Sequence, residues 1–324
     1  MNLLCLRLLV ALIFLFGLGD ERGKTTHKIL PIRLSNATLN HFASYGDNFT
    51  CISKGTGGSS LIEVYPLSGM TKVLVKHLDY TPALIDMRSR AYYTIQRGRI
   101  NNYDFGGRLH RSYKTRNSTA VLGVYQFRNE LYALYVHDVR MNNNIFVRYE
   151  VADLISDRTL FAKNLRIESE PTKLRDFYLT SINDSSYACC FEDSLVVTIF
   201  GVKGDSKELI NPSFKYTKYT EEEFNALNPT MKSLVQMSHN FYPMVIHKIF
   251  TFENRIFVLR KLRPNETIVH LDVFSTNTFL KTVAFSIDPG KNFVDLVSLR
   301  SKLLLVCTDE NNRYYLRDIS GYCY

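Results

Sequence analysis

Between Thr81 and Ser118 the chain gathers Arg88, Arg90, Arg97, Arg99, Arg108, Arg111, Lys114 and Arg116 against only two acids, Asp86 and Asp104. The chemistry open to such a set is recognition of anions. Seven of the eight cations are Arg, whose planar fork of N–H donors matches sulfate, phosphate or carboxylate oxygens two at a time. Arg97, Arg99, Arg108, Arg111 and Lys114 are the anion-binding candidates. A bland alternative stands beside this reading: a solvated rim whose charge only keeps the protein soluble.

Signatures of catalysis are sparse. The sequence has no Gly-x-Ser-x-Gly elbow, no His-Glu-x-x-His zinc helix, no phosphate-binding glycine loop and no EF-hand loop. Its eight histidines show no ligand spacing. No cofactor and no metal site are expected, and the enzyme question leans towards no. Cys189 and Cys190 are neighbours on a strand, so their side chains point to opposite faces, and one of them is read as a core thiol.

The compartment is set at the beginning. Leu3 to Leu18 is apolar except for Arg7 and is followed by Gly19, a small residue before a cut ahead of Asp20. Residues 1–19 are read as a signal peptide, the rival being a membrane anchor. A spanning helix takes roughly 20 apolar residues, more than this run supplies. Without Arg7 the remaining chain carries 39 basic and 31 acidic residues, a net +8. Secretion makes sulfated glycans, acidic headgroups and acidic protein faces the accessible anions, and nucleic acid an unlikely partner. No stable membrane span is expected. Sequons fall at Asn36, Asn48, Asn117, Asn183 and Asn265, the glycosylation candidates, whereas Asn228 is spoiled by Pro229. Five cysteines follow the leader, an odd number, and Cys51 with Cys323 is the disulfide candidate.

Short strands must position these groups. Met244 to Asp288 reads as four strands joined by hairpin turns: a run ending at Phe252, then Arg255 to Arg260, Thr267 to Phe274, and Phe279 to Phe285. The same small polar turn before an apolar strand recurs at Asp47, Ser89, Asn129, Asp184, Asn254 and Ser301. The intervals are 42, 40, 55, 70 and 47 residues, against a propeller period of about 40–50. Two long intervals call for insertions. One is placed at the Asn142 to Asn144 hairpin tip with the connection from Glu168 to Arg175; the other covers about 212–243. In the second, Thr220-Glu-Glu-Glu223 is a capping-box pattern that predicts one short helix, with Asn228-Pro229 as its stop. After Ser301 only two strands remain, so the last sheet lacks an outer strand. His27 to Leu34 has no partner of its own and could complete it, as an edge because of Pro31.

This pattern resembles the six-bladed β-propellers in general. The fold class expected is therefore all-β, six blades of four antiparallel strands with one short helical insertion, over residues 20–324 as a single domain. The resemblance is one of pattern: there is no Trp, so the Trp-Asp and Tyr-Trp-Thr-Asp motifs of two propeller families are missing, and Gly57-Gly58 and Gly106-Gly107 lack the kelch residues that should follow. A pair of β-sandwiches is the alternative architecture. The function expected is a secreted, glycosylated binding module for anionic ligands such as sulfated glycans or acidic proteins. The alternative is a secreted hydrolase with an axial metal. The resemblance to propeller hydrolases would recruit Asp86, Asp176, Asp272 and Asp295 for it.

Overall fold

The computed structural model describes residues 28–30, 38–45, 48–54, 60–66, 74–78, 82–116, 119–127, 130–141, 144–166, 176–192, 194–202, 204–227, 229, 232–233, 236, 245–263, 266–299, 302–311 and 313–323. Before residue 82 the side-chain description is confined to Glu63 and Leu78. The expected leader, residues 1–19, lies outside the described residues, as do Asn36, Asn117 and Asn265. Among the described residues no helix is long and apolar enough to cross a membrane.

Among the described residues twenty-four strands pair into six four-stranded antiparallel sheets. The first sheet is β2 (Thr38–Tyr45), β3 (Asn48–Lys54), β4 (Ser60–Pro66) and β5 (Leu74–Leu78). The second is β6 (Leu84–Asp86), β7 (Ala91–Gln96), β8 (Arg99–Asp104) and β9 (Leu109–Lys114). The third, β10 (Ala120–Phe127), β11 (Glu130–Met141), β12 (Asn144–Asp153) and β13 (Thr159–Arg166), has the longest hairpin. The fourth is β14 (Phe177–Ser181), β15 (Ser186–Phe191), β16 (Val196–Gly201) and β17 (Ser206–Ile210). The fifth is β18 (Ile246–Phe252), β19 (Arg255–Arg260), β20 (Ile268–Phe274) and β21 (Phe279–Ser286). The sixth takes β22 (Asn292–Leu299), β23 (Lys302–Thr308) and β24 (Tyr314–Asp318), and its fourth strand is β1 (Lys28–Leu30).

That last pairing is antiparallel, with Lys28 opposite Leu316 and Leu30 opposite Tyr314. The early strand thus covers the backbone edge that β24 would otherwise leave open. Each of the six recurring sequence positions precedes the second strand of a sheet. Glu253 and Asn254 both have positive φ (48° and 59°), the geometry of a two-residue hairpin whose twist matches the strands it joins.

Apolar side chains lie between successive sheets rather than inside any one of them. Tyr132, Val147 and Tyr149 of the third sheet pack with Leu179, Tyr187 and Phe200 of the fourth. Ala188 and Val197 of the fourth meet Ile256, Val258 and Phe274 of the fifth. Phe257, Leu259 and Val273 of the fifth meet Leu296, Leu303 and Leu305 of the sixth. Tyr93 and Ile100 join Val124 and Ala133 across the second and third, and Leu78 reaches Tyr92 across the first and second. A second strand such as β19 is therefore covered on both faces, which explains its unbroken Ile-Phe-Val-Leu run. First strands neighbour one another: β6 contacts β10, β10 contacts β14, β14 contacts β18, and β22 contacts β2. Sheets stacked side by side around an axis, each burying its faces on the next, make a β-propeller of four-stranded blades.

A short helix, α1 (Glu221–Ala226), lies in the segment between β17 and β18. Thr220 caps it: its hydroxyl accepts from the Glu223 amide, and the Glu223 carboxylate accepts from the Thr220 amide at 2.7 Å. Three acids in the first turn suit the positive end of the helix dipole.

A candidate anion-binding surface on the second blade

The basic cluster lies on the outer half of the second blade. There β9 is the fourth strand, and it is exposed or half-exposed throughout. Arg97 and Gly98 form the two-residue turn between β7 and β8, both at positive φ (45° and 70°). Arg97 therefore stands at the turn, where the hairpin twist demands left-handed backbone, rather than on a strand face. Thr115 pins the turn from the end of β9, its amide and hydroxyl both donating to the Gly98 carbonyl, at 3.0 and 2.7 Å.

Arg99 and Lys114 are cross-strand partners. Directly opposed side chains share a face about 5 Å apart, and like charges in that position repel. Arg99 is steadied by Ser112, to whose hydroxyl it donates at 3.2 Å; Ser112 in turn donates to Asn101 at 2.7 Å. Arg111, opposite Asn102, belongs to the other face, where its guanidinium lies 4.8 Å from the centre of the Tyr113 ring. Asn102 there donates to the Tyr93 hydroxyl at 3.1 Å, and burial pushes the Tyr93 phenol up to about 12. Arg108 sits in the β8–β9 turn at the opposite end from Arg97. Asp104 shapes that turn: its carboxylate accepts from the Arg108 amide at 2.9 Å and contacts His110 at 3.3 Å. The Arg108 amide bond leads the interactions that hold the Asp104 carboxyl below its usual range.

Arg97, Arg99, Arg108, Arg111 and Lys114 are all exposed, and among the described residues none has a carboxylate within ion-pair distance. Arg116 is different. It reaches across to the third blade, bonding Glu150 at 2.9 Å and Asp157 at 2.7 Å over the Tyr135 ring, so its charge is spent on holding two blades together. Cations elsewhere are commonly paired: Lys163 with Glu208, Lys248 with Asp295, Arg260 with Asp272, Lys302 with Asp318 and Arg317 with Asp288.

The four aspartates considered for an axial metal are dispersed into separate duties. Asp86 accepts from the Arg88 and Ser89 amides and from Gln126, closing the β6–β7 turn. Asp176 is exposed just before β14. Asp272 is buried on β20, a third strand, where Arg260 clamps it. Asp295, on β22, accepts from Lys248 and lies 3.6 Å from His247. Among the described residues no group of three or more His, Cys, Asp or Glu is placed to hold a metal ion. Sequence reading missed the Arg260–Asp272 pair, because only the register of β19 on β20 brings the two together.

Cys189, Cys190, Cys307 and Cys323 are buried free thiols. A disulfide between Cys51 and Cys323 is therefore corrected: the Cys323 sulfur, in the turn after β24, faces the Ile319 carbonyl at 3.8 Å within the core between the fifth and sixth sheets. Burial pushes the Cys323 thiol up to about 11. The Cys51 side chain lies outside the described residues. Both neighbours of the Cys189–Cys190 pair, not one, are core thiols, Cys189 facing the third blade and Cys190 the fifth. Burial raises both thiol pKa values. Of the sequons, Asn183 is exposed in the β14–β15 turn and accepts from the Ser185 amide at 3.0 Å, while Asn48 opens β3.

The chain is thus a β-propeller protein with a basic outer edge on one blade. No family model matches it, and no curated protein does. Among solved structures it is similar to a member of the DUF4221 family from Bacteroides vulgatus, with TM-score 0.52 and 11% identity over 90% of this chain and 98% of that one. It is also similar to a streptogramin B lyase (TM-score 0.48, 8% identity, 90% and 97% covered) and to Kluyveromyces lactis Hsv2 (TM-score 0.42, 8% identity, 87% and 98% covered). At such identities the likeness is one of fold.

Proposed function

We propose that this chain is an exported, glycosylated propeller of six blades in a closed ring, and that it is a binding module for polyanions taken along the β8–β9 edge. Contact between β2 and β22 and the shared sixth sheet support the closed ring; the apolar leader supports export. One observation carries the ligand reading: among the described residues five exposed cations on one blade lack acidic partners, while cations on other blades are commonly matched. An unpaired Arg99 opposite Lys114 costs stability unless something negative lies over both.

The charges run from the Arg97 turn to the Arg108 turn, and a six-residue strand spans about 20 Å. That layout suits an extended ligand with repeated charges, such as a sulfated glycan or an acidic protein segment, better than a compact ion. The test is retention on heparin against salt. Arg97, Arg99, Arg108 and Arg111 changed together to Ser should elute at clearly lower salt than a protein with Lys163, Lys207, Lys281 and Lys302 changed to Ser, although both lose four charges. Equal shifts would mean that net charge alone is read, and the surface would lose its role.

A further inference from the structure

The strand β11 is 12 residues long, whereas the second strands of the other sheets have 6 or 7. From His137 to Met141 it runs on past the start of β10, whose first residue, Ala120, is opposite Val136. Thr119 lies outside β10, and its hydroxyl donates to the Arg116 carbonyl at 2.8 Å, so the chain bends there instead of continuing along β11. On its other side β11 stays paired with β12 as far as Met141, and β13 accompanies β12 as far as Phe146. Among the described residues, therefore, the backbone edge from His137 to Met141 has no strand beside it. Asp138, Arg140 and Met141 are exposed, and the apolar side chains of Leu122 and Ile145 nearby are open as well.

An open edge invites another strand, and charged side chains commonly blunt it. Here the charges are spaced to fit a copy of themselves. The run is His137-Asp-Val-Arg-Met141. When two such strands lie antiparallel with Val139 at the centre, each Asp138 stands opposite the partner's Arg140, and each His137 opposite the partner's Met141. Asp138 and Arg140 share one face of β11, and among the described residues neither has an ion-pair or hydrogen-bond partner. Sliding the pair by two residues sets Arg140 against Arg140 or Asp138 against Asp138, so charge selects this register. Length selects it too. The partner's Met141 reaches only His137, and its hairpin then turns back into β12 before meeting Ala120. The two bodies lie at opposite ends of the shared strands, with the Val136 positions about 20 Å apart.

We infer that the end of β11 from His137 to Met141 is a contact between two copies of this chain, paired edge to edge about a two-fold axis at Val139. The interface is isologous, each copy giving and receiving the same contacts. Backbone hydrogen bonds supply the affinity and the opposed side chains fix the register. So short a contact lies at the small end of specific interfaces, which makes the dimer reversible and populated only at high protein concentration.

Sedimentation velocity of the full chain over a concentration series reaching on the order of 100 µM tests this, and the parent should shift from monomer towards dimer. Asp138→Arg alone, or Arg140→Asp alone, sets like charges opposite each other at both pairs and should weaken association at least about tenfold. Mixing the two single variants matches both pairs again, as does carrying both substitutions in one chain, and each should restore association. A parent that stays monomeric, the result if another segment or a different protein occupies the edge, overturns the inference. So do single variants that associate like the parent, or a mixture that stays monomeric. Val139→Cys gives a reading that needs no charge variant to fold. Its two copies meet on the axis at a separation a disulfide can span, so mild oxidation should yield a covalent dimer, and a chain that stays uncrosslinked counts equally against the contact. The protein with four arginines of the second sheet changed to Ser should associate like the parent, so failure of the polyanion reading leaves this contact standing.

Discussion

Replacing Asp272 by Ala removes the acceptor of two guanidinium bonds from Arg260, of the Asn211 amide and of the Thr282 hydroxyl, all at a fully buried position. Arg260 is only 20% exposed, so water cannot fully restore what is lost. Breaking one side of a buried pair costs about 3–5 kcal/mol, mostly as the penalty of the charge left behind. For a chain of this size each kcal/mol lowers the melting temperature by roughly 2 °C, so the variant should melt about 6–10 °C below the parent. Changing both partners to apolar residues of similar size, Asp272→Leu with Arg260→Met, strands no charge and should recover at least about 2 kcal/mol. Guanidinium denaturation of parent, singles and double gives the coupling directly, provided the slopes agree. The reasoning is refuted if Asp272→Ala costs under about 1 kcal/mol, or if the double variant loses the sum of the singles.

Other outcomes follow from the same geometry. Deleting residues 28–30 exposes the edge of β24 along its pairing from Tyr314 to Leu316, and light scattering should report aggregation or calorimetry a marked fall in melting temperature; a deletion that melts like the parent would remove β1 from any closing role. Acid should act through Asp295. Burial opposes its ionisation, but bonds from His247 and Lys248 outweigh that and hold its carboxyl below the usual range. A lowered folded-state pKa contributes stability above the ordinary carboxylate pKa and loses it as pH falls through the lowered value. Unfolding free energy measured from about pH 6 to about pH 2 should therefore fall in acid, and Asp295→Asn should flatten that fall while lowering stability at neutral pH. An equally steep acid loss in the variant would assign the effect elsewhere.

Much of the architecture was legible because hairpin chemistry is local. Arg255–Arg260 was read with its observed bounds, and the turns at Ser89 and Asn129 each announce a second strand. The capping box at Thr220 was legible for the same reason, since all its atoms lie within four residues. The incomplete last sheet could be matched to an early strand by counting edges, which is a global argument from a simple rule. Side-chain partners were not legible. Whether Arg116 is free or bound depends on Glu150 and Asp157 in the next blade, and no periodicity within Thr81 to Ser118 reports that. The open end of β11 was invisible likewise, since it depends on where β10 begins along its neighbour. Cys323 failed as a disulfide partner because the turn after β24 tucks its sulfur into a core.

The pairing of Lys28–Leu30 with Tyr314–Asp318 has a consequence for the timing of synthesis. The strand that completes the sixth sheet is translated before the strands of the other five, and its neighbour β24 after them. At about 5–20 residues per second the first waits on the order of tens of seconds for the second. During that interval the sheets in between can form and stack, while β1 has no strand to pair with. Nascent chains from two ribosomes on one message would present such unpaired edges to each other at high local concentration, a route to mispairing. Slowing translation of the final segment should worsen that exposure, and a chaperone that shields strand edges should relieve it.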